Sequence, residues 1–209
     1  MSTDSVEPHL RIELVSNPLL LGGVRELLGN VSRRFGFPDA DSSKIALAVD
    51  EALCNVMRHG YDRRQDGRIW ISVWILGSGG RASPDVGACD HGRAIGAAGI
   101  RITIDDEAKQ VDPDQIKSRD LSDIRPGGLG VHIIREVMDE ATYARRETNG
   151  MRLTMVKMLK AGDAPCCAGA VGAPTAPPNV QVSPVAPIRS EADAGSRTAT
   201  QEGARGHVA

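Results

Sequence analysis

The sequence predicts a two-layer α/β sandwich of the α+β kind, in which a mixed, mostly antiparallel sheet is covered by helices on one face. Three observations support this fold class. Segments with the period of a half-buried strand occur early, midway and late within the first 160 residues. Two helical segments follow the first strand, and a third helix precedes two closing strands. This order fits one sheet packed against one layer of helices.

The first strand and first helix have clear boundaries. Residues 10–15 alternate as a short strand. Asn17, followed by Pro18 at the first helical position, predicts a helix that continues to about Phe35, because proline lacks only an N–H that this position leaves unpaired. The glycine and proline residues in 36–38 end this helix.

A second, longer helix begins with Asp41 or Ser42 as its cap and ends near His59, with Gly60 as its stop. Its apolar residues recur with the helical period and are expected to face the sheet. These residues are Ile45, Val49, Ala52, Leu53, Val56 and Met57.

Two β-prone segments, residues 68–76 and 100–105, enclose a glycine-rich stretch. That stretch, residues 77–99, is too long for a hairpin turn, so we interpret it as an insertion between two strands. The remaining elements are a helix and two closing strands at 131–139, 141–146 and 151–158.

The composition narrows the possible classes of protein. The chain has 209 residues, with 25 basic and 27 acidic side chains and a net charge of −2, which argues against a dominant nucleic-acid surface. It begins without the basic-then-apolar order of a signal peptide, and no apolar run approaches the roughly 20 residues that cross a bilayer. The four cysteines lack metal-binding spacing and are expected to be reduced, which favours the cytoplasm.

The composition changes near residue 161. Residues 161–209 are rich in alanine, proline, glycine and serine, and every aromatic residue precedes them. Such a segment cannot bury enough apolar surface to offset its ordering entropy. We therefore predict one domain over residues 1–160, followed by a disordered tail.

The second helix carries a polar stripe. At about 100° per residue, Lys44, Glu51, Asn55 and Arg58 fall on one side of it, and Glu51 and Asn55 are stacked neighbours. An amide oxygen is a suitable ligand for Mg²⁺, and a carboxylate one turn away can accept a proton from an attacking hydroxyl. An isolated pair of this kind is also common on solvated helix faces. We count Arg58 among the nucleotide-binding candidates.

A glycine-rich loop, residues 125–130, leads into the third helix. Glycines let backbone N–H groups approach phosphate oxygens, and a helix N-terminus adds positive potential. Arg125 is a candidate for contact with a γ-phosphate. The segment matches neither a Walker A loop nor a dinucleotide-binding loop, and on local pattern it also fits a tightly packed helix start.

Together these motifs resemble the GHKL ATPases, specifically the anti-sigma factor serine/threonine kinases of bacterial sporulation and general-stress regulation. Residues 49–61, VDEALCNVMRHGY, are similar to the N-box, a helix with Glu and Asn four apart and a basic–His–small–Tyr ending. Residues 127–159 resemble the lid, helix and final hairpin of that family. The resemblance covers about residues 10–160 and implies a Bergerat-type fold that binds ATP and Mg²⁺.

The resemblance also implies roles for individual residues. Glu51 would be the general base that activates a target serine or threonine, and Asn55 would ligate Mg²⁺. Gly128 and Gly130 would hold the phosphates. Thr154, in the last strand, would lie beside the adenine.

The family also has an Asp-x-Gly box, whose aspartate accepts a hydrogen bond from the adenine amino group, and two segments compete for this role. Asp90 keeps the literal motif but follows a poor strand at residues 86–89. Asp106 directly follows a good strand and precedes residues 111–113, which are similar to a family signature at this distance. We favour Asp106. Ala108 then replaces the glycine, and it would strain or crowd the pocket if that position needs close backbone approach or positive φ.

The resemblance predicts a kinase that phosphorylates an anti-sigma-factor antagonist, sequesters a sigma factor and forms a homodimer. The alternative is a catalytically inactive, nucleotide-gated binding module of the same fold, which Ala108 and the insertion favour. Trp70 and Trp74 share one face of a strand, which indicates core packing or a dimer surface rather than base stacking.

Overall fold

The computed structural model describes residues 6–83, 87–88, 94–116 and 129–160. Its main sheet has five strands in the order β1-β2-β5-β7-β6, and each neighbouring pair is antiparallel. The predicted fold class is confirmed. The strands are β1 Leu10–Val15, β2 Arg68–Leu76, β5 Gly99–Asp106, β6 Glu140–Arg145 and β7 Met151–Met158. Within the predicted insertion, β3 Gly87–Ala88 pairs with β4 Ala94–Ile95.

Three α-helices accompany the sheet: α1 Leu21–Arg34, α2 Asp39–Asn55 and α3 Gly130–Val137. No helix among the described residues has the length and apolar character needed to cross a membrane. The predicted tail, residues 161–209, lies outside the described residues, so its disorder stays a prediction.

The predicted start of the first helical segment is confirmed. Asn17 caps a 3-10 turn, Pro18–Leu20, and its side-chain oxygen accepts a hydrogen bond from the Leu19 N–H at 3.0 Å. The α-helix follows directly, and Gly36 leaves it with a φ of 105°, a left-handed conformation that glycine adopts without strain.

The predicted cap of α2 is wrong. The helix begins at Asp39, directly after Pro38, so Asp41 and Ser42 lie inside its first turn. Pro38 starts the helix because its carbonyl accepts the first helical hydrogen bond, from the Ser42 N–H at 2.8 Å. The Ser42 hydroxyl bonds to the Phe37 carbonyl instead of capping the helix.

The other end of α2 widens into a single π-helical turn, Val56–Gly60. The N–H of Tyr61 donates to the carbonyl of Val56, five residues earlier, at 2.9 Å. Insertions of this kind in α-helices are rare and often occur at functional sites.

The core lies between the sheet and the helices and is mainly aliphatic, as the low aromatic content predicts. Of the residues expected to face the sheet, all are buried except Val56, which is partly buried, and Ile45, Val49 and Leu53 are fully buried. They meet the alternate residues of β2 and β5 that point the same way. These include Ile69, Ile71, Val73, Ile100, Ile102 and Ile104.

Candidate functional site

A cavity of about 350 Å³ opens where the end of α2, the start of α3 and the ends of β5 and β7 come together. Apolar side chains form most of its wall, among them Ile104, Met151 and Leu153. A mainly apolar pocket with a few fixed polar groups is typical of a small-molecule site. Its polar lining residues include Asn55, His59, Asp106, Lys109 and Gln115.

Glu51 and Asn55 lie one turn apart at the end of α2, as the sequence predicts, and α3 begins against them. A Cβ atom added to Gly130 would lie 2.7 Å from Glu51 Oε2 and 3.0 Å from Asn55 Nδ2. Gly130 is thus the residue that allows α3 to approach this pair. Asn55 Nδ2 is buried and has no hydrogen-bond partner among the described residues. Because unpaired buried polar groups are costly, this amide suits a ligand.

Asp106 also lines the cavity, and its side chain is almost fully buried. Its Oδ1 atom accepts two backbone hydrogen bonds, from Ala108 N at 2.8 Å and from Met151 N at 3.1 Å. Within the described part of the chain, no hydrogen bond reaches Oδ2. The carboxyl is therefore held in place through one oxygen, while the other can accept a hydrogen bond from a ligand.

The pKa of the Asp106 carboxyl is raised, because burial removes the charged form from water. The two backbone N–H donors and the charge of Arg146 oppose this rise. Asp106 therefore carries its negative charge at an energetic cost. Carboxyl groups with a perturbed pKa cluster at functional sites.

Tyr61 holds the loop after Asp106 from one side. Its hydroxyl donates to the Arg68 carbonyl and accepts from the Glu107 N–H at 2.9 Å. Its ring packs so closely on Gly67 that a Cβ at that position would lie 2.3 Å from a ring carbon. In the sequence Tyr61 is recognisable only as the last residue of the N-box-like motif, and this positioning contact was not predicted.

The turn between β6 and β7 holds the same loop from the other side. Arg146 Nη1 donates to the Asp106 carbonyl at 2.5 Å, and Asn149 Nδ2 donates to the Glu107 carbonyl at 3.0 Å. Gly150 has a φ of 82°, and a Cβ there would lie 1.9 Å from the Asp106 carbonyl oxygen. The Asn-Gly pair signals a tight turn in the sequence, but not this contact.

Ala108 has an unstrained backbone. The non-glycine residues at positive φ in the described part of the chain are Asp62 and Arg63, so Ala108 is not in the conformation that demands glycine. Its side chain is buried, but it is not among the residues that line the cavity. Neither a positive φ nor a place in the lining of this cavity is therefore found for Ala108.

Two sequence-based assignments need correction. Thr154 lies on the opposite face of the sheet from the cavity, because side chains alternate along β7 and its neighbour Leu153 faces inward. It is therefore not placed to contact an adenine in this cavity. Arg58 is exposed and does not line the cavity, because the π turn rotates it away from the stripe of Glu51 and Asn55. Three other candidates, Arg125, Gly128 and Asp90, lie outside the described residues.

The residues present suit a magnesium ion only in combination with a phosphate ligand. Among the described residues, no three His, Cys, Asp or Glu side chains converge on a possible metal position. Mg²⁺ commonly takes one or two protein oxygens and completes its shell with phosphates and water. The side-chain oxygen of Asn55, beside the carboxylate of Glu51, could supply one such oxygen, whereas the unpartnered Nδ2 of Asn55 is a hydrogen-bond donor that suits a phosphate or water oxygen.

An α+β sandwich whose cavity is lined by a buried carboxylate and an amide, with a second carboxylate beside that amide, is typical of the class of histidine kinase-like ATP-binding domains. The family profile described as "Histidine kinase-like ATPase domain" matches residues 14–157, more than half of the chain. The chain belongs to this family.

The chain is similar to curated proteins that carry one name, "Serine-protein kinase RsbW". The relative from Bacillus velezensis is 22% identical over 151 residues, covering 72% of this chain and 86% of that protein. The relative from Halalkalibacterium halodurans is 26% identical over 140 residues, covering 67% and 76%. Among solved structures, the SiaB–SiaC complex from Pseudomonas aeruginosa aligns with a TM-score of 0.48 at 13% identity, covering 72% of this chain and 89% of that one.

Proposed function

We propose that this protein is an ATP-dependent serine/threonine-protein kinase and an anti-sigma regulatory factor. It would phosphorylate an anti-sigma-factor antagonist and sequester a sigma factor when that antagonist is absent. The observation that carries the proposal is that Asp106 and Asn55 line one cavity, with Glu51 beside Asn55 at the start of α3. The name of these relatives, serine-protein kinase, supports the same activity.

Asp106 would make the nucleotide site selective for adenine. Its Oδ2 atom accepts a hydrogen bond from the exocyclic amino group of adenine, while Oδ1 stays bound to the backbone. Guanine carries a carbonyl at that position and would meet a carboxylate as a second acceptor. The apolar wall, with Ile104 and Leu153, provides the surface on which the base packs.

Glu51, Asn55 and the glycine-rich segment would act on the phosphates. The Glu51 carboxylate accepts the proton of the serine or threonine hydroxyl as that hydroxyl attacks the γ-phosphate. Asn55 would hold Mg²⁺ through its amide oxygen, and the ion, when bound, would neutralise charge on the phosphates. The lid residues Arg125, Gly128 and Gly130 are proposed to close over the phosphates.

The proposed partners are the sigma factor, the antagonist and a second copy of this chain, in the cytoplasm. These proposals rest on the resemblance of residues 49–61 and 127–159 to the anti-sigma kinases. A chain that binds ATP and both partners without transferring phosphate would instead be a nucleotide-gated binding module.

Asp106→Asn is expected to weaken Mg-ATP binding by about 10-fold or more, since loss of a hydrogen bond to a charged group costs roughly 1.5–3 kcal/mol. The amide can keep Oδ1 as the acceptor of both backbone N–H groups but places an NH₂ group where the adenine amino group binds. Isothermal calorimetry measures the Mg-ATP affinity of the wild type, Asp106→Asn and Asp90→Asn. A loss of affinity confined to Asp90→Asn would contradict the assignment of Asp106.

The same Asp106→Asn variant should be at least as stable as the wild type at neutral pH, because it removes a buried charge whose pKa is raised by burial. A raised carboxyl pKa means that the native state binds more protons than the unfolded state between the unfolded and folded pKa values, so wild-type stability falls as pH rises through that window. The gain in unfolding free energy of the variant over the wild type should therefore be largest at pH values above the folded-state pKa of Asp106. It should vanish at pH values below the unfolded-state pKa. Urea unfolding at several pH values measures the difference.

Gly130→Ala is expected to slow phosphoryl transfer about 10- to 100-fold, since small displacements of reacting groups have effects of this size. Its Cβ would meet Glu51 Oε2 and Asn55 Nδ2, whose side chains can move aside, so the melting temperature should change little. Gly23→Ala is the matched control, because that glycine lies in α1 with nothing within 4 Å. Equal transfer rates in the two variants would contradict the role of close packing at Gly130.

A further inference from the structure

The face of the main sheet opposite the helices carries a second cavity, of about 520 Å³. Side chains of the strands and of the β6–β7 turn line it, and no described helix contributes to it. The two tryptophans of the chain, Trp70 and Trp74, both lie here, on either side of Ser72 on β2. We refer to this cavity and its lining side chains as the outer face.

The outer face concentrates positive charge. Its lining includes one aspartate, Asp105, and four arginines, whereas the whole chain has a net charge of −2. It contains no lysine. The four arginines are Arg11, Arg101, Arg146 and Arg152.

Three of these arginines are fixed by neighbouring side chains. The guanidinium of Arg101 lies 4.4 Å from the ring centroid of Trp74, and that of Arg146 lies 5.3 Å from that of Trp70. Arg152 makes two hydrogen bonds to the Asp105 carboxylate, at 2.6 and 2.8 Å. Side chains that are already ordered lose less conformational entropy when they bind a partner.

A row of hydroxyl groups crosses the centre of the outer face. Ser72, Thr103 and Thr154 are directly opposite one another on β2, β5 and β7. Hydroxyls donate hydrogen bonds to carboxylates and carbonyls alike. Ser72 and Thr103 are buried and Thr154 is partly buried, so the row forms a polar floor of the cavity between two tryptophan–arginine pairs.

We propose that the outer face binds an acidic segment of a partner protein, with its carboxylates on the arginines and its apolar groups on the two tryptophans. Tryptophan and arginine are the residues that dominate binding energy at protein interfaces, where lysine is depleted. A two-fold dimer through this face would bring two copies of the same net-positive lining together, so charge disfavours a second copy of the chain. The proposal does not depend on nucleotide binding in the first cavity.

Intrinsic tryptophan fluorescence tests the proposal directly, because both tryptophans lie on the outer face. The probe is a twelve-residue peptide of alternating glutamate and leucine, compared with the corresponding lysine–leucine peptide and with a single-stranded oligodeoxynucleotide. We expect a saturable fluorescence change with the glutamate peptide alone, which weakens as salt is added.

The double variant Arg11→Glu/Arg101→Glu should lower the affinity for the glutamate peptide at least 10-fold. Arg81→Glu/Arg34→Glu is the matched control, with the same charge change at residues that do not line the outer face. Circular dichroism and ATP affinity report whether each variant stays folded. If Arg11→Glu/Arg101→Glu unfolds, the single variant Arg11→Glu replaces it, because the Arg11 side chain is exposed. Its affinity for the glutamate peptide is expected to fall about threefold.

Several results would overturn the proposal. These are no saturable binding of the glutamate peptide, an equal loss of affinity in the control variant, or tighter binding of the lysine peptide or the oligonucleotide. A dimer in analytical ultracentrifugation that dissociates on Arg11→Glu/Arg101→Glu substitution would identify a second copy of the chain as the occupant instead.

Discussion

Replacing Glu51 with glutamine is expected to lower the rate of phosphoryl transfer by about 10²- to 10⁴-fold, the range in which a general base contributes. Glutamine has nearly the same shape and can still pack against Gly130, but its amide cannot accept the proton of the attacking hydroxyl. Mg-ATP affinity should change only a few-fold, because the proposed contact with adenine is made by Asp106, a different lining residue of the cavity. The effect therefore belongs to the chemical step rather than to binding.

Transfer of radiolabelled γ-phosphate to candidate antagonist proteins measures the rate, and calorimetry measures ATP affinity. Glu26→Gln is the matched control, because it makes the same chemical change at an exposed residue of α1 away from the cavity. A Glu51→Gln variant that transfers phosphate at the control rate would remove Glu51 from the mechanism. A wild-type protein that binds ATP but phosphorylates no candidate would contradict the kinase activity itself.

Replacing Gly150 with alanine is expected to cost about 3 kcal/mol of unfolding free energy or more, which combines the strain of a non-glycine residue at positive φ with a backbone clash. The new Cβ would lie 1.9 Å from the Asp106 carbonyl oxygen and 2.5 Å from its carbonyl carbon. Neither atom can move without displacing the Asp106 peptide. In molecules that remain folded, ATP affinity should therefore fall as well.

The variant Gly96→Ala separates the cost of backbone strain at positive φ from the cost of the Cβ clash. Gly96 has a φ of 78°, close to the 82° of Gly150, but a Cβ there would meet nothing within 4 Å. It should therefore show only the conformational cost, about 1 to 2 kcal/mol, with normal ATP affinity. Urea unfolding and calorimetry compare the variants. Equal stability losses and equal ATP affinities would show that Gly150 is not packed against the Asp106 loop.

The sequence determined most elements of the fold and the helix that carries Glu51 and Asn55. Strand boundaries at Leu10–Val15, Arg68–Leu76 and Met151–Met158 agree with prediction, because alternation and β-branched residues act over a few neighbouring positions. The stacking of Glu51 and Asn55 likewise follows from helical periodicity alone. The cap of α2 was misplaced because both Pro38 and the later polar residues are acceptable helix starts, and local pattern does not distinguish them.

Only the tertiary structure decided which residues meet at the cavity and what holds them there. The face of the sheet on which Thr154 lies depends on the strand register. The direction of the Arg58 side chain depends on a π turn that the helical periodicity of the sequence does not predict. Tyr61 and Gly150 act on the Asp106 loop from positions 45 and 44 residues away along the chain. Contacts over such separations arise when the hydrophobic core brings distant elements together, so local sequence pattern does not contain them.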